Sequence, residues 1–229
     1  MARRLAELAK TIDHTLLDRD ASEEVIARLC DEAREHHFAS VCVLPGSVAF
    51  AVECLRGCDV KVTGVVGYPQ GADEPRAKLA DAEYCVADGS HELEVVMNTE
   101  AMLAGDFRLV RDELAAVAHA VAMHGVNTGR GQTLVKVVLD CERLGSKRTQ
   151  LACSIVEGVG VDFVSTSVGA ASEASTLFAV ELLREHLSER IGVKASGVVV
   201  TAGEVDELIA AGAGRIGTPH AVDVMGVPA

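Results

Sequence analysis

The stretch ELEVVMN, residues 92–98, decides how this chain folds. Its residues predict a β-strand, and successive side chains of a strand point to opposite faces. Leu93, Val95 and Met97 share one face, which we expect to pack against helices. The opposite face carries the remaining residues, which are Glu92, Glu94, Val96 and Asn98. A strand with carboxylates on its inner side predicts a barrel or sheet with a polar interior.

Seven further runs of β-rich sequence occur along the chain, and segments with apolar residues at helical spacing separate them. These seven are IDHTLL from Ile12, SVCVLP from Ser40, VKVTGVVGYP from Val60, LVKVVLD from Leu134, DFVSTSV from Asp162, GVKASGVVV from Gly192 and GRIGTP from Gly214. Eight alternating strand and helix signals in 229 residues favour an α/β fold of the (β/α)8 TIM barrel type over a doubly wound open sheet. No GxGxxG opens a predicted helix, which weakens a dinucleotide-binding fold.

The helical segments include SEEVIARLCDEAREHH, with Ser22 as the predicted N-cap, and FRLVRDELAAVAHAVAMHG. The segment NTGRGQ, residues 127–132, is the clearest loop signal. We find no linker that would divide the chain, and therefore predict one (β/α)8 domain over residues 1–229.

Composition limits the partners and the location. The formal net charge is −13, and nucleic-acid binding would need clustered Lys and Arg instead. Seven cysteines scattered through predicted helices and strands are typical of a reduced cytoplasmic protein. No run has the length and apolar character of a signal peptide or a membrane span. We expect a cytoplasmic protein without a nucleic-acid or membrane partner.

Metal-ligand spacing is limited to one weak signal. Cys54 and Cys58 form a CxxxC pair, but no second ligand pair follows it. We therefore predict no metal and no other cofactor.

In a TIM barrel, sites collect at the carboxyl ends of the strands, and alternation selects the side chains that face the lumen. The later strands send inward a largely polar set, which is Lys136, Val138, Asp140, Ser165, Ser167, Lys194 and Ser196. Two lysines and several carboxylates therefore converge on one lumen.

Two interpretations of these charges are open. The first is a structural ion-pair network, since charges in apolar surroundings are costly unless they are paired. The second is functional: lysines held close together and partly desolvated have lowered pKa values, which makes an amine available as a nucleophile or base. Glu94 and Asp13 would then move protons, as carbonyl chemistry requires.

The strand motifs also carry a resemblance to a known family. In chain order they read IDHTLL, SVCVLP, VVGYPQGA, ELEVVMN, VKVVLD, GVDFVSTSVG, VKASG and AGAGRIGT. With these motifs the chain resembles deoxyribose-phosphate aldolases along nearly its whole length. The resemblance implies a class I aldolase, in which a strand-six lysine forms an imine with acetaldehyde and the enamine adds to glyceraldehyde 3-phosphate. It also implies assisting groups, which are Lys194, Lys136, Glu94 and Asp13.

Two positions depart from the family pattern at the reacting centre. The imine-forming lysine falls on Ser165, and a serine hydroxyl cannot form an imine. Glu94 stands in place of an aspartate, which moves the carboxylate by about a bond length in a site where ~1 Å can matter.

The resemblance further implies that backbone N–H groups after strands seven and eight hold the substrate phosphate. The Gly-Gly pair of the family reads Gly197-Val198 here, and the turn after strand eight reads GTPHA, where Pro219 has no N–H. In the strand-six loop a family threonine becomes Val168, followed by Gly169 and Ala170. These changes together indicate a changed substrate that need not carry the phosphate.

We expect an enzyme that does aldol, condensation or cyclisation chemistry on a small carbonyl or sugar-like substrate, with Lys194 as the amine. The expected substrate contacts are Ser165, Ser167, Asn98, Asp140, Ser196, Gly197, Gly217, Thr218 and His220. Two alternatives stay open: a non-catalytic paralogue that binds a sugar or metabolite, and an ordinary deoxyribose-phosphate aldolase with a relocated imine lysine. Barrels of this type often pair, so a homodimer is an admissible assembly.

Overall fold

A closed barrel of parallel strands forms the centre of the molecule, seen in a computed structural model that describes residues 2–129, 131–167 and 173–226. Each strand pairs with the next in chain order, and the last pairs with the first. The strands are β1 (Ile12–Leu16), β2 (Ser40–Val43), β3 (Lys61–Val66), β4 (Glu92–Val96), β5 (Leu134–Val138), β6 (Phe163–Ser165), β7 (Gly192–Ser196) and β8 (Arg215–Thr218). This topology confirms the predicted (β/α)8 barrel.

Helices follow the strands and surround the barrel. They are α1 (Ala2–Ala9), α2 (Glu23–His36), α3 (Val48–Cys54), α4 (Pro75–Ala87), α5 (Thr99–Ala104), α6 (Phe107–Thr128), α7 (Cys141–Glu157), α8 (Glu173–His186), α9 (Ala202–Ala210) and α10 (Ala221–Val224), with a 3-10 turn at Pro45–Ser47. Within the described ranges, every helix falls short of what crossing a membrane requires.

The start of α2 and the end of α6 can be compared with the N-cap and the loop predicted from the sequence. Ser22 takes the predicted N-cap position of α2, although its side chain makes no capping hydrogen bond. Helix α6 continues to Thr128, so the first two residues of the predicted NTGRGQ loop are helical. The helix ends at Gly129, whose φ of 66° suits a glycine in the left-handed region.

Alternation along the strands separates two apolar clusters. Leu93, Val95 and Met97 belong to the large core between strands and helices, as predicted. A smaller cluster consists of Cys42, Val65, Val96 and Val138. Its members each lie two positions beyond a buried polar residue on the same strand, in the direction of the carboxyl end; these polar residues are Ser40, Thr63, Glu94 and Lys136. The lumen therefore has a polar layer beneath an apolar one.

Candidate active site

Charged side chains from several strands meet in the polar layer of the lumen. Nζ of Lys136 on β5 lies 2.9 Å from Oδ2 of Asp13 on β1 and 2.6 Å from Oε2 of Glu92 on β4. Nζ of Lys194 on β7 lies 3.0 Å from the same Asp13 oxygen and contacts Oε1 of Glu94. The two lysines predicted to converge do so, and they share a carboxylate.

Arg215 on β8 completes this charged cluster. Its Nε lies 2.9 Å from Oδ1 of Asp13, and its Nη1 lies 3.2 Å from Oε1 of Glu92. Counted over the described residues, the cluster has three cations and three carboxylates and is formally neutral. The structural ion-pair network that the sequence left open is thus present. Sequence reasoning missed Arg215, although alternation places it on the same face as Gly217.

The pKa values in the cluster follow the pairing of charges. Burial alone raises the pKa of Asp13, but Lys136, Lys194 and Arg215 outweigh burial and hold that pKa well below its ordinary value. Burial alone lowers the pKa of Lys194, but the charges of Asp13 and Glu94 outweigh it and raise that pKa above its ordinary range. The expected lowering of the pKa is therefore wrong for Lys194, because its nearest charged partners are carboxylates and not the other lysine.

A cavity of 310 Å³ lies at the carboxyl ends of the strands, where a barrel places its site. Six of the predicted site residues line it, and they are Glu94, Ser167, Lys194, Ser196, Gly197 and Gly217. Lys194 contributes the one amino group among the described lining residues. Asp13 and Lys136 are completely buried and contact the cavity residues from the polar layer.

Three serines lie on the β6 and β7 side of the cavity. Ser165 is completely buried, and its Oγ lies 2.9 Å from Oγ of Ser196. Ser167 donates a hydrogen bond from Oγ to the carbonyl of Ser196 over 2.7 Å. Ser165 is also the register partner of Lys194 across the β6–β7 pair. The hydroxyl of Ser165 thus supports the cavity wall from behind Ser196.

Gly217 on β8 leaves room for the side chain of Lys194. A Cβ at this position would lie 2.6 Å from Cε and 3.1 Å from Nζ of Lys194, and 2.9 Å from Oγ of Ser196. The two distances below 3.0 Å would force the side chains of Lys194 and Ser196 to shift, so the present position of the amine depends on the missing side chain.

Two predicted inward residues serve helix ends instead. Oδ1 of Asn98 accepts a hydrogen bond from N–H of Ala101 and caps α5. Oδ1 of Asp140 accepts one from N–H of Arg143 and caps α7. The strands end two residues earlier, at Val96 and Val138, so alternation no longer applies to these side chains. Among the described residues, they are outside the set that lines the cavity.

The last two predicted contacts lie beside the cavity after β8. Thr218 is buried and donates from Oγ1 to the carbonyl of Val199 over 2.7 Å. The ring Nδ1 of His220 lies 3.1 Å from a carboxylate oxygen of Asp223, at the start of α10. Neither side chain is in the set of described cavity-lining residues. Val168, Gly169 and Ala170, which carry part of the substrate argument, lie outside the described residues.

Sequence reasoning also missed most of the apolar wall. That wall consists of Leu16, Leu17, Cys42, Val65, Tyr68, Val138, Val198 and Pro219. Burial raises the pKa of Cys42 to about 12, so this thiol stays protonated near neutral pH. Strand alternation could have found Cys42 and Val65, whereas the loop residues have no such signal. Within the described part of the chain, no cluster of three or more His, Cys, Asp or Glu could hold a metal.

Comparison with known proteins gives close relatives. No protein-family model matches the chain. The deoxyribose-phosphate aldolase of Caldanaerobacter subterraneus is 39% identical over 221 residues, which cover 96% of this chain and 93% of that protein. The one of Brevibacillus brevis is 39% identical over 216 residues, covering 94% of each chain. The tetrameric deoxyribose phosphate aldolase of Aeropyrum pernix has a TM-score of 0.81 at 27% identity, covering 96% of this chain and 91% of that one.

An amine beside paired carboxylates at the carboxyl end of a parallel barrel, together with these relatives, defines the class as barrel aldolases. Within that class, the chain belongs to the deoxyribose-phosphate aldolase family.

Proposed function

We propose that this protein catalyses aldolase-type carbon–carbon chemistry on a small carbonyl substrate, with Lys194 as the reacting amine. The observation that carries the proposal is the position of Lys194, whose side chain lines the cavity while its Nζ contacts Glu94. An amine, a proton acceptor and room for a substrate thus occur together. The substrate is sugar-like or a simpler carbonyl compound that need not carry a phosphate, and the enzyme acts in the cytoplasm without a nucleic-acid partner.

The chemistry begins with a proton transfer within the Lys194–Glu94 pair. Because its pKa is raised, Lys194 rests as an ammonium ion. A substrate that fills the cavity excludes water, and desolvation favours the neutral form of the amine. Glu94 then takes the proton, and the free amine attacks the carbonyl carbon. A C–N bond forms while the carbonyl oxygen takes this proton back from Glu94. Glu94 then moves a second proton from the nitrogen to the new hydroxyl group, which departs as water and leaves a protonated imine on Lys194.

In this scheme the reacting amine stands on the strand next to the position that the family resemblance assigns to it. That position holds Ser165, which has no amine and whose hydroxyl group contacts Ser196. Since Ser165 and Lys194 are register partners, the change moves the amine by one strand within the same site. Lys136 remains buried beneath it and keeps Asp13 paired.

Variants at Lys194 test the proposal in the addition of acetaldehyde to glyceraldehyde 3-phosphate or to butanal. Lys194→Arg keeps a cation beside Asp13 and Glu94 but has no nucleophilic amine, and we expect it to lose about 10³-fold or more in kcat. Lys194→Met is expected to lose activity to the same extent, with lower stability. Exposed Lys147→Arg is the matched control. Full activity in a folded Lys194→Arg variant would contradict the role of the amine.

A second candidate function is a paralogue that binds a sugar or metabolite without turning it over. The charge-balanced cluster favours it, because each of its lysines is already engaged by carboxylates. A thermal-shift screen with pentoses and pentose phosphates tests this candidate. Stabilisation by a ligand that is recovered unchanged after prolonged incubation would support binding alone, and turnover of that ligand would exclude it.

A further inference from the structure

The residues that line the cavity indicate which kind of substrate it can bind. Its polar side chains near the reacting amine are those of Glu94, Lys194, Ser167 and Ser196. The larger part of the lining is the apolar wall, which consists of Leu16, Leu17, Cys42, Val65, Tyr68, Val138, Val198 and Pro219. A ligand that matches this division has one polar, carbonyl-bearing end and one apolar end.

The lining offers little to an anion. Lys194 is the one Lys or Arg among the described lining residues, and Asp13 and Glu94 already pair with it. Asp18, which also lines the cavity, adds a further carboxyl group. An anionic group placed here would lose its hydration without gaining a free cation, which is costly.

Backbone donors near the cavity are also engaged. After β7, N–H of Gly197 donates to the carbonyl of Gly217 over 3.2 Å, and N–H of Val199 donates to the carbonyl of Gly197 over 3.1 Å. After β8, Pro219 has no N–H, and N–H of His220 donates to Oγ1 of Thr218 over 3.0 Å. These three N–H groups are therefore engaged by the protein itself and are not available to a phosphate or carboxylate.

A carboxylate of the protein itself occupies the next two donors along the chain. Oε2 of Glu204 accepts hydrogen bonds from N–H of Val200 over 2.8 Å and from N–H of Thr201 over 2.7 Å. Backbone N–H groups hold the pKa of Glu204 below its ordinary value, so its negative charge is present at neutral pH. The capping box of Thr201 and Glu204 thus places a carboxylate at the positive end of α9, three residues after the cavity-lining Val198.

From these contacts we propose that the substrate is an uncharged aliphatic aldehyde or ketone, whose chain lies against the apolar wall while its carbonyl meets Lys194. The reaction of such a substrate rests on the proposed function, whereas its binding in the cavity does not. At about 30 Å³ per water-sized group, the cavity holds about ten non-hydrogen atoms, which is enough for two short reactants.

A homologous series of unreacted ligands tests the apolar wall directly. Binding of acetone, butanone and pentan-2-one is measured by ligand-observed NMR, with inorganic phosphate and glyceraldehyde 3-phosphate as charged competitors. Each added methylene is expected to tighten binding about threefold to fourfold. The charged compounds are expected not to displace pentan-2-one. Tighter binding of glyceraldehyde 3-phosphate than of pentan-2-one would overturn the inference.

Two pairs of variants test where the ketone binds and what weakens the binding of a phosphate. Val198→Asp places a carboxylate in the apolar wall and is expected to weaken pentan-2-one binding about tenfold, whereas Val126→Asp, at a position 75% exposed on α6, should not change it. Glu204→Gln removes one charge and keeps a side-chain acceptor. Glyceraldehyde 3-phosphate should therefore bind to the Glu204→Gln variant several-fold more tightly than to the control variant Glu207→Gln. Equal ketone binding in both Val variants would place the ketone elsewhere and contradict the inference.

Turnover then separates this inference from the proposed function. With acetaldehyde as donor, kcat/KM for butanal is expected to exceed that for glyceraldehyde 3-phosphate by at least about tenfold. Preference for the phosphorylated acceptor would overturn the inference and leave the proposed function standing. Ketone binding with the predicted chain-length dependence, but no reaction of either acceptor, would overturn the proposed function and leave the inference standing.

Discussion

Lys194 lines the cavity while its charge is paired with two carboxylates. Its Nζ has Asp13 and Glu94 as partners, and Gly217 leaves the space in which the chain of the lysine lies. The carboxylates keep the amine protonated at rest, so reactivity depends on moving that proton and not on a lowered pKa. The position of the amine, which depends on the missing side chain of Gly217, therefore matters as well as its charge.

Gly217→Ala tests this dependence on position. The added Cβ would lie 2.6 Å from Cε of Lys194, so the lysine must move. We expect kcat to fall about 100-fold, because a displacement of ~1 Å at a reacting centre has effects of that size. The control is Gly46→Ala, since a Cβ there meets nothing within 4 Å. If Gly217→Ala were as active as the control, catalysis would not depend on the present position of the Lys194 amine.

Ser165→Lys tests the charge balance of the cluster. A lysine at this buried position adds a fourth cation to three carboxylates, so burial and like charge should give it a lowered pKa. We expect aldol turnover of acetaldehyde to rise at least about tenfold, with borohydride-reducible adducts on residue 165. Ser165→Met has similar length and no amine, and should not gain activity. Absence of an adduct on residue 165 in the folded variant would refute the expectation.

The segment between β3 and α4 forms one side of the cavity through Tyr68 and is held by a buried lysine. Lys78 on α4 is completely buried, and its Nζ donates to the carbonyls of Gly71 over 2.7 Å and Val96 over 2.9 Å. It also forms an ion pair with Glu113 on α6 at 2.6 Å. Burial lowers the pKa of Lys78 and raises that of Glu113. This one side chain joins a loop, a strand end and two helices.

Lys78→Met should therefore destabilise the fold. It leaves Glu113 buried without its cation, at a cost of about 3–5 kcal/mol in the free energy of unfolding. In the double variant Lys78→Met with Glu113→Leu, most of this loss should be recovered, because no uncompensated charge remains. Urea unfolding of the wild type, both single variants and the double variant completes the cycle. A double variant less stable than Lys78→Met alone would contradict the importance of the unpaired charge.

Strand positions could be predicted from the sequence because each strand repeats the same local signal. Alternation in ELEVVMN correctly separated Leu93 from Glu94, since a half-polar lumen makes the two faces differ in character. The resemblance to the deoxyribose-phosphate aldolase family is confirmed by the relatives. The end of α6 was placed too early because Asn127 and Thr128 resemble turn residues, while Gly129 alone ends the helix.

Side-chain partners could not be predicted in the same way. Asn98 and Asp140 continue the alternation in the sequence, but each lies two residues beyond the end of its strand and takes the N-cap position of the next helix. The pairing of Arg215 with Asp13 joins residues more than two hundred positions apart, and only closure of the barrel brings them together. The pKa of Lys194 depends on that same closure.

The charged cluster also bears on the whole molecule, because it links the first strand of the barrel to the last. Asp13 on β1 contacts Lys136 on β5, Lys194 on β7 and Arg215 on β8. Its carboxylate contributes to stability only while it is ionised, so its lowered pKa makes the closed barrel dependent on pH.

The ion pairs of Asp13 and Glu92 are expected to stabilise the fold at neutral pH and to be lost in acid. The folded pKa values of Asp13 and Glu92 lie below their unfolded values of about 4, so their contribution is complete above about pH 4 and is lost as the pH falls through the folded values. The raised pKa of Lys194 gives a contribution that persists to alkaline pH. Urea unfolding should show a plateau at neutral pH and a decline below about pH 4. Exposed Asp88→Asn should leave the profile unchanged, and Asp13→Asn should lower the plateau.

The most direct test of the central claim is intact mass after borohydride reduction in the presence of acetaldehyde and, separately, of deoxyribose 5-phosphate, followed by peptide mapping. A reduced adduct on Lys194 that is absent from Lys194→Arg is the predicted result, because only that amine lines the cavity among the described residues. An adduct on another lysine, or none with either compound in the folded wild-type protein, would contradict the claim that Lys194 is the reacting amine.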